Sequence, residues 1–397
     1  MKKICLSVVG LFITLFASFG QGAPDSSNYK QRKLSFEEAN LVSSYYRQDG
    51  NNSAVTGGAG TEKLTDFSNT IDLKFVRWNK KDVKQTLHME VGFDHYTSAS
   101  SDKIDPHTVS SASSADTRIY PSATWTAENE VKGTTLGGGM SLSTEYDYRS
   151  FGANVFFAKK TANRNGEFSA KLQAYLDQLK YILPIELRTN SGQEHDDYES
   201  KPRNSYSASL SYSQIINQRL QLMLIADVVY QQGYLGLPFH RIYFNNGNES
   251  VESLPDTRLK IPLGFRANYF AGDKFIIRSF YRYYKDDWGL GAQTAQLETS
   301  VKLSPFFSFT PFYRYYTQNA VDYFAPIYEH AQTENFYTSN YDLSSFNSQF
   351  YGAGFRLTPE KGVFGLQHLS AMEIRYGHYN RSNGLHSDIV TLNLQLK

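Results

Sequence analysis

Two stretches hold most of the side chains that could engage a ligand. FYRYYKDDWG (280–289) and FYRYYTQNAV (312–321) repeat a run of aromatics broken by one arginine, 32 positions apart. A guanidinium set among phenols can grip an oxyanion, and the carboxylates of Asp286 and Asp287 can hold a cation or a proton. Elsewhere the chemistry is sparse. The nine histidines are scattered; His88 and His95 would fall on opposite faces of an extended strand, and His195 lies in the acidic string EHDDYE (194–199). Neither GxSxG nor HExxH occurs, so neither a hydrolase serine elbow nor a zincin site is present. Asp105, Asp116 and the EHDDYE acids read as solvated loop charge rather than a Ca²⁺ site. The glycines of TTLGGGMSL lack the GK[ST] of a phosphate loop and read as close packing within a strand. The expectation is a protein that is not an enzyme and uses no cofactor or metal.

What positions these residues follows from composition and pattern. The 397 residues carry 40 Lys+Arg against 39 Asp+Glu, a balance that argues against a nucleic-acid partner. Aromatics make up 15% of the chain, and the mean hydropathy is −0.47, too polar for a helical membrane protein. MKKICLSVVGLFITLFASFGQGA opens with Lys2 and Lys3, an apolar run from Ile4 to Phe16, and small residues at Ser18 and Gly20. That pattern predicts a cleaved signal peptide over 1–20 and export from the cytoplasm. Cys5, the single cysteine, would leave with it.

Beyond the leader the dominant signal is alternation of apolar and polar residues over about ten positions. In RLQLMLIADVVY (219–230), Leu220, Leu222, Leu224, Ala226, Val228 and Tyr230 share one face; IVTLNLQLK does the same with Val390, Leu392, Leu394 and Leu396. Sixteen such segments are predicted: 39–47, 68–78, 85–96, 117–128, 133–145, 148–159, 166–180, 203–214, 219–231, 258–270, 274–286, 293–303, 307–317, 346–357, 367–379 and 387–397. Their connections alternate between long and short, as expected where turns gather on one rim of a barrel and loops on the other. A strand of about 12 residues extends roughly 40 Å, and tilted by about 45° it covers close to 28 Å, the thickness of a hydrocarbon layer. The predicted fold is all-β: a closed antiparallel transmembrane β-barrel of about sixteen strands over 39–397, preceded by a periplasmic segment over 21–38, in the outer membrane of a Gram-negative bacterium.

Parity then assigns faces. An arginine turned to lipid costs about 2–4 kcal/mol near the midplane, so Arg278, Arg282 and Arg314 must point inward. Tyr281, Tyr283, Tyr313 and Tyr315 are thereby sent outward as an aromatic girdle near the extracellular interface, the two pairs at one height. Inward parity also takes Arg266, Arg356, Arg375, Glu298 and Glu373 in the C-terminal half, against Asp72, Glu90, Asp94 and Asp177 in the N-terminal half. Opposed basic and acidic walls would set a field across a pore; alternatively the charges pair with one another and fill a polar lumen.

The strings GYLGLPFHRIYF (233–244), PDTR (255–258), YRYYKDDWG (281–289), FYRYYTQNAVDYF (312–324) and DPHTVSSAS (105–113) resemble the family called domain of unknown function 3570, in that order and spacing. The resemblance implies a secreted β-rich protein of Gram-negative bacteria, with a small lipoprotein or an extracytoplasmic redox or flavin-transfer protein as a partner. It implies no activity. One departure is the ending Leu396–Lys397, where many barrel proteins end in an aromatic residue. The motif-bearing loops would be extracellular, bringing His240, Arg241, Asp286, Asp287, Trp288, Gln318 and Asp322 to one rim. There they form either a constriction or docking surface, or hydrogen-bonded pins between loops. The function expected is passage of small polar solutes through the lumen, in contact with outer-membrane lipid; the alternative is a non-conducting docking barrel for a lipoprotein or redox partner.

Overall fold

A computed structural model describes residues 32–97, 115–188 and 198–397. The expected signal peptide, most of the 21–38 segment, DPHTVSSAS and most of EHDDYE lie outside those residues.

The alternating segments are strands. Along the chain they are Ser35–Asp49 (β1), Leu64–Trp78 (β2), Lys84–Thr97 (β3), Ala115–Asn129 (β4), Thr134–Thr144 (β5), Tyr148–Lys160 (β6), Gly166–Lys180 (β7), Ser200–Asn217 (β8) and Leu220–Gly233 (β9). Two short strands follow, Arg241–Tyr243 (β10) and Glu249–Val251 (β11). The rest are Thr257–Ala271 (β12), Phe275–Asp286 (β13), Gly291–Ser304 (β14), Phe307–Gln318 (β15), Phe346–Leu357 (β16), Leu369–Arg381 (β17) and His386–Leu396 (β18). Sixteen of them pair antiparallel with their sequence neighbours, and β1 meets β18 from Ala39↔Leu396 to Asp49↔His386. The sheet is therefore a closed barrel without an edge, the arrangement a hydrocarbon solvent demands. The β10–β11 pair stands apart as a ribbon within the connection between β9 and β12. β1 begins at Ser35, ahead of the expected residue 39.

Lipid-side and lumen-side residues alternate as parity requires. Leu224, Val155 and Leu297 stand 61%, 57% and 50% exposed on the outer surface, where a hydrocarbon layer would cover them. Among the described residues, no helix is long and apolar enough to cross a membrane.

The expected strict alternation of long and short connections does not hold. On the rim of long loops, 145–147, 287–290 and 382–385 are tight turns. Each is closed by local bonds: Glu145 N–H to the Tyr148 carbonyl at 2.9 Å, Asp286 N–H to the Leu290 carbonyl at 3.0 Å, and Arg381 N–H to the Leu385 carbonyl at 2.8 Å. The opposite rim has one long link, 358–368. The long loops proper are 50–63, 181–199, 234–256 and 319–345, together with 98–114 outside the described residues.

Candidate functional site

The register of β12 to β17 builds one lumen wall from alternating cations and rings. Arg266 faces Phe280, Phe280 faces Gln296, Gln296 faces Arg314, Arg314 faces Phe350 and Phe350 faces Tyr379. These six residues form a single row across six strands. Arg282 lies one pleat above Phe280 on β13 and Arg278 one pleat below. Guanidiniums rest against the rings: Arg266 and Arg282 lie 5.7 and 5.5 Å from the Phe280 centroid, and Arg314 lies 5.5 Å from Phe350. Arg375 sits 4.4 Å from the Phe312 ring. Room for the rings comes from glycines: a Cβ on Gly377 would fall 2.6 Å from Phe350, and one on Gly352 would fall 2.9 Å from Phe312.

Ion pairing divides the arginines into two sets. Glu298 is shared by Arg278, at 3.0 Å, and Arg375; Glu373 is shared by Arg356, at 3.3 Å, and Arg375, at 3.9 Å. Among the described residues, no carboxylate lies within ion-pair distance of Arg266, Arg282 or Arg314, and Arg314 Nε donates to the Gln296 side-chain oxygen at 3.0 Å. These three line a cavity of about 810 Å³ together with Arg278, Glu298, Phe280, Phe346 and Phe350. A neighbouring space of about 490 Å³ is lined by Arg278, Glu298, Lys302, Arg356, Glu373 and Arg375.

Across the lumen the charges reverse. Glu90, Arg118, Tyr120, Tyr148 and Asp177 line another space of about 490 Å³. Of its carboxylates, Asp177 accepts from Tyr148 at 2.6 Å; nearby on β3, Asp94 accepts from Ser68 at 2.6 Å and Tyr120 at 2.9 Å, with Arg118 Nε at 3.8 Å. Asp72 takes an amide bond from Asn40 at 3.4 Å and has the His88 imidazole at 3.6 Å.

The outward tyrosines Tyr281, Tyr283, Tyr313 and Tyr315 all stand on the exposed outer face. Their heights differ from expectation. Tyr281 and Tyr315 share a row through Ala295, whereas Tyr283 is one pleat higher, opposite Gln293, and Tyr313 one pleat lower, opposite Leu297. The repeat of 32 residues does not match the strand-to-strand offset, so the two strings are staggered.

At the mouth, the loop residues fall into two nodes. In one, the Asp286 side chain is fully buried (0% exposed) and accepts from Arg258 Nε at 2.9 Å, Tyr284 Oη at 2.7 Å, and the Trp288 and Leu290 N–H groups at 3.0 Å each. The Trp288 indole donates to the Thr257 carbonyl at 2.9 Å and carries the Arg258 guanidinium at 4.2 Å. Asp287 accepts from the Leu259 N–H at 2.9 Å, and Asp322 N–H reaches the Trp288 carbonyl at 2.9 Å. Gln318 donates to the Asp342 and Ser344 carbonyls at 3.0 and 2.6 Å, tying β15 to the following loop.

The second node crosses the barrel. Arg241, on β10, is buried, pairs its guanidinium with Glu186 of the β7–β8 loop, and donates to the Val55 carbonyl of the β1–β2 loop at 2.8 Å. β9 and β1 are eight strands apart in a ring of sixteen, so these loops are rooted on opposite sides of a cylinder about 30 Å wide. Gly57, at φ +79°, lies against the Tyr243 ring, where a Cβ would come within 2.6 Å. Beside it, Glu252 accepts from Thr338 Oγ1 and from the Leu237 N–H at 2.9 Å, with His240 Nδ1 at 3.5 Å. Burial opposes ionisation of Glu252, yet the nearby His240 ring and the hydrogen bonds from Thr338 and Leu237 outweigh it and hold the carboxyl below the usual glutamate range. His330 faces acceptors at both ring nitrogens, Glu334 at 2.7 Å and the Thr338 carbonyl at 3.0 Å. The loops thus roof the mouth.

Sequence reasoning placed Phe280 on the face of Arg278 and Arg282 and Gln296 on the face of Glu298 without giving either a role, and it did not reach Phe312, Phe350, Val55, Glu186, Glu252, Thr338 or His330. The lumen phenylalanines left one signal, apolar residues on the polar parity. The loop contacts left none, since Val55 and Arg241 are 186 positions apart.

Fold and wall together define a sixteen-stranded transmembrane β-barrel with a charged lumen and a looped roof. Within that class, the family model described as protein of unknown function (DUF3570) matches residues 79–387, and the chain belongs to that family. No curated protein matches it. Among solved structures, OccK2 (OpdF) of Pseudomonas aeruginosa aligns at TM-score 0.42 and 10% identity, over 93% of this chain and 99% of that one. A BenF-like porin from Pseudomonas fluorescens Pf-5 aligns at TM-score 0.44 and 10% identity, over 92% and 99%. Similarity at this level carries no argument about function.

Proposed function

We propose that this protein is a porin-like barrel of the Gram-negative outer membrane, carrying small polar solutes through its lumen. The observation that supports this most is the cavity of about 810 Å³ inside a closed barrel, walled by exposed arginines that no structural pairing requires. A barrel that only filled its lumen would pair those charges, as Glu298 and Glu373 do for their neighbours. The apolar outer belt and the staggered tyrosines fit a bilayer, with the short-turn rim and both chain ends in the periplasm. Export by a signal over 1–20 completes this reading, and the N-terminal sequence of the mature protein tests it. Single-channel recording of the purified protein in planar bilayers tests passage: discrete ohmic steps are expected, and a folded barrel that stays silent would sink it.

The roof favours a second reading, a docking barrel whose braced loops present a surface to a small lipoprotein or redox partner. Its test is recovery of one stoichiometric partner on mild solubilisation of native membranes.

A further inference from the structure

We propose that the row on β12 to β17 is a binding station for small organic anions that carry a carboxylate on a flat apolar body. Such solutes would be the ones the lumen favours, an assignment that rests on the passage reading above. The cavity presents four guanidiniums, Arg266, Arg278, Arg282 and Arg314, against one carboxylate, Glu298, a surplus of three positive charges. Glu298 is already engaged by Arg278 and Arg375, so the surplus resides on Arg266, Arg282 and Arg314. Like charges gathered without acids repel one another, and Arg314 lies within electrostatic reach of both Arg282 and Arg375. A bound anion relieves that repulsion, and a guanidinium offers it a planar fork of donors.

The rings specify more than charge. Phe280 and Phe350 hold the guanidiniums within cation–π reach, and Arg314, whose Nε is given to Gln296, keeps its two terminal nitrogens for an oxyanion. Phe346, Tyr316 and Tyr379 complete an apolar lining beside them. Arg266 and Arg314 are three strands apart, roughly 14 Å, with Arg282 between them and one pleat higher. A carboxylate can therefore be handed along the row while a flat ring slides over the phenylalanines. Gly377 leaves the Phe350 ring its place, because a Cβ there would fall 2.6 Å from it.

Calorimetry on the detergent-solubilised protein with phenylacetate, acetate and 2-phenylethanol tests the station without requiring current. Phenylacetate is expected to bind, with acetate and the uncharged alcohol each weaker by roughly tenfold or more. Arg282→Gln with Arg314→Gln should weaken phenylacetate by about tenfold or more, while the heat-shifted mobility of the folded barrel is unchanged. Should that variant misfold, displacement of phenylacetate from the unaltered protein by rising sulfate decides the same question. Equal binding of acetate and phenylacetate would overturn the apolar half of the proposal, and binding unaffected by the arginines or by sulfate would overturn the whole. Bilayer recording separates the two readings. Binding to a silent barrel keeps the station and removes passage; ohmic steps without phenylacetate binding remove the station and keep passage.

Discussion

Arg241 Nη1 donates to the main-chain carbonyl of Val55 at 2.8 Å, joining two loops rooted on opposite sides of the barrel. Because the guanidinium is buried and also forks onto Glu186, removing it strips three bonds from one place. Arg241→Ala is expected to weaken the roof by about 2 kcal/mol or more, and Arg241→Lys to restore little, since an ammonium lacks the planar fork. Hydrogen exchange should quicken in 50–63 and 234–256 while the strands keep their protection. Unchanged exchange in both loops would mean the roof is held by other contacts.

Asp286 organises the turn between β13 and β14 by accepting from four residues with a fully buried side chain. Asp286→Ala leaves Arg258 without its carboxylate, and breaking a buried pair in this way costs about 3–5 kcal/mol. Trp288 should then lose its packing, read as a red shift of indole emission in a Trp78→Phe, Trp125→Phe background. An emission maximum that stays put would show the turn to be independent of Asp286.

Glu298 holds Arg278 and Arg375 together in the lumen. Glu298→Gln removes the one carboxylate lining the cavity of about 810 Å³ and frees Arg278 there, while Arg375 keeps Glu373. Anion preference, measured as the reversal potential across a salt gradient, should rise. Its fall, or no change, would place the selective field elsewhere in the barrel.

The Glu252 and Glu334 carboxyls lie below the usual glutamate range, Glu252 against its burial and through His240, Thr338 and Leu237, Glu334 chiefly through the Ala331 N–H. A depressed carboxyl contributes stability that is present above its unfolded value and is lost as pH falls through the folded one. Protection of 323–339 should therefore persist at neutral pH and fail only below about pH 4, with the barrel intact. Glu252→Gln should flatten that dependence. Loss of protection already near pH 6 would point to a different titrating group.

Asp147, in the turn before β6, is pushed up to about 7 by burial and by the neighbouring Glu145 and Asp116. Here the sign is opposite: the folded state keeps a proton the unfolded chain has lost, so local stability falls as pH rises from about 4 to 7. Infrared difference spectra should show a carboxyl titrating near neutrality that Asp147→Asn abolishes. A spectrum unaltered by that substitution would refute the assignment.

How much of this could be read from the chain differs by element. The barrel was legible because lipid on one side and water on the other force period-2 alternation, as at 219–230, and because Arg278, Arg282 and Arg314 admit only one orientation. The β10–β11 ribbon was not, since RIY and ESV are each three residues long and too short for any periodicity. The stagger of the tyrosines depends on inter-strand offset, which no single strand encodes. The Arg–Phe row depends on the same offsets, and phenylalanine on a lumen parity reads as noise until its neighbours on the next strands are known. Turn lengths such as 287–290 are set by one buried carboxylate, Asp286, whose cationic partner Arg258 comes from another strand.

The bond between Arg241 and Val55 also keeps time. Closing the cylinder's seam, β1 on β18, brings the bond's two ends nearer, since their loops are rooted eight strands apart, about 38 Å in a flat sheet against about 30 Å across the barrel. Resistance of these loops to protease during biogenesis is thus a clock for the last step of assembly, and a barrel arrested with its seam ajar would be clipped there first.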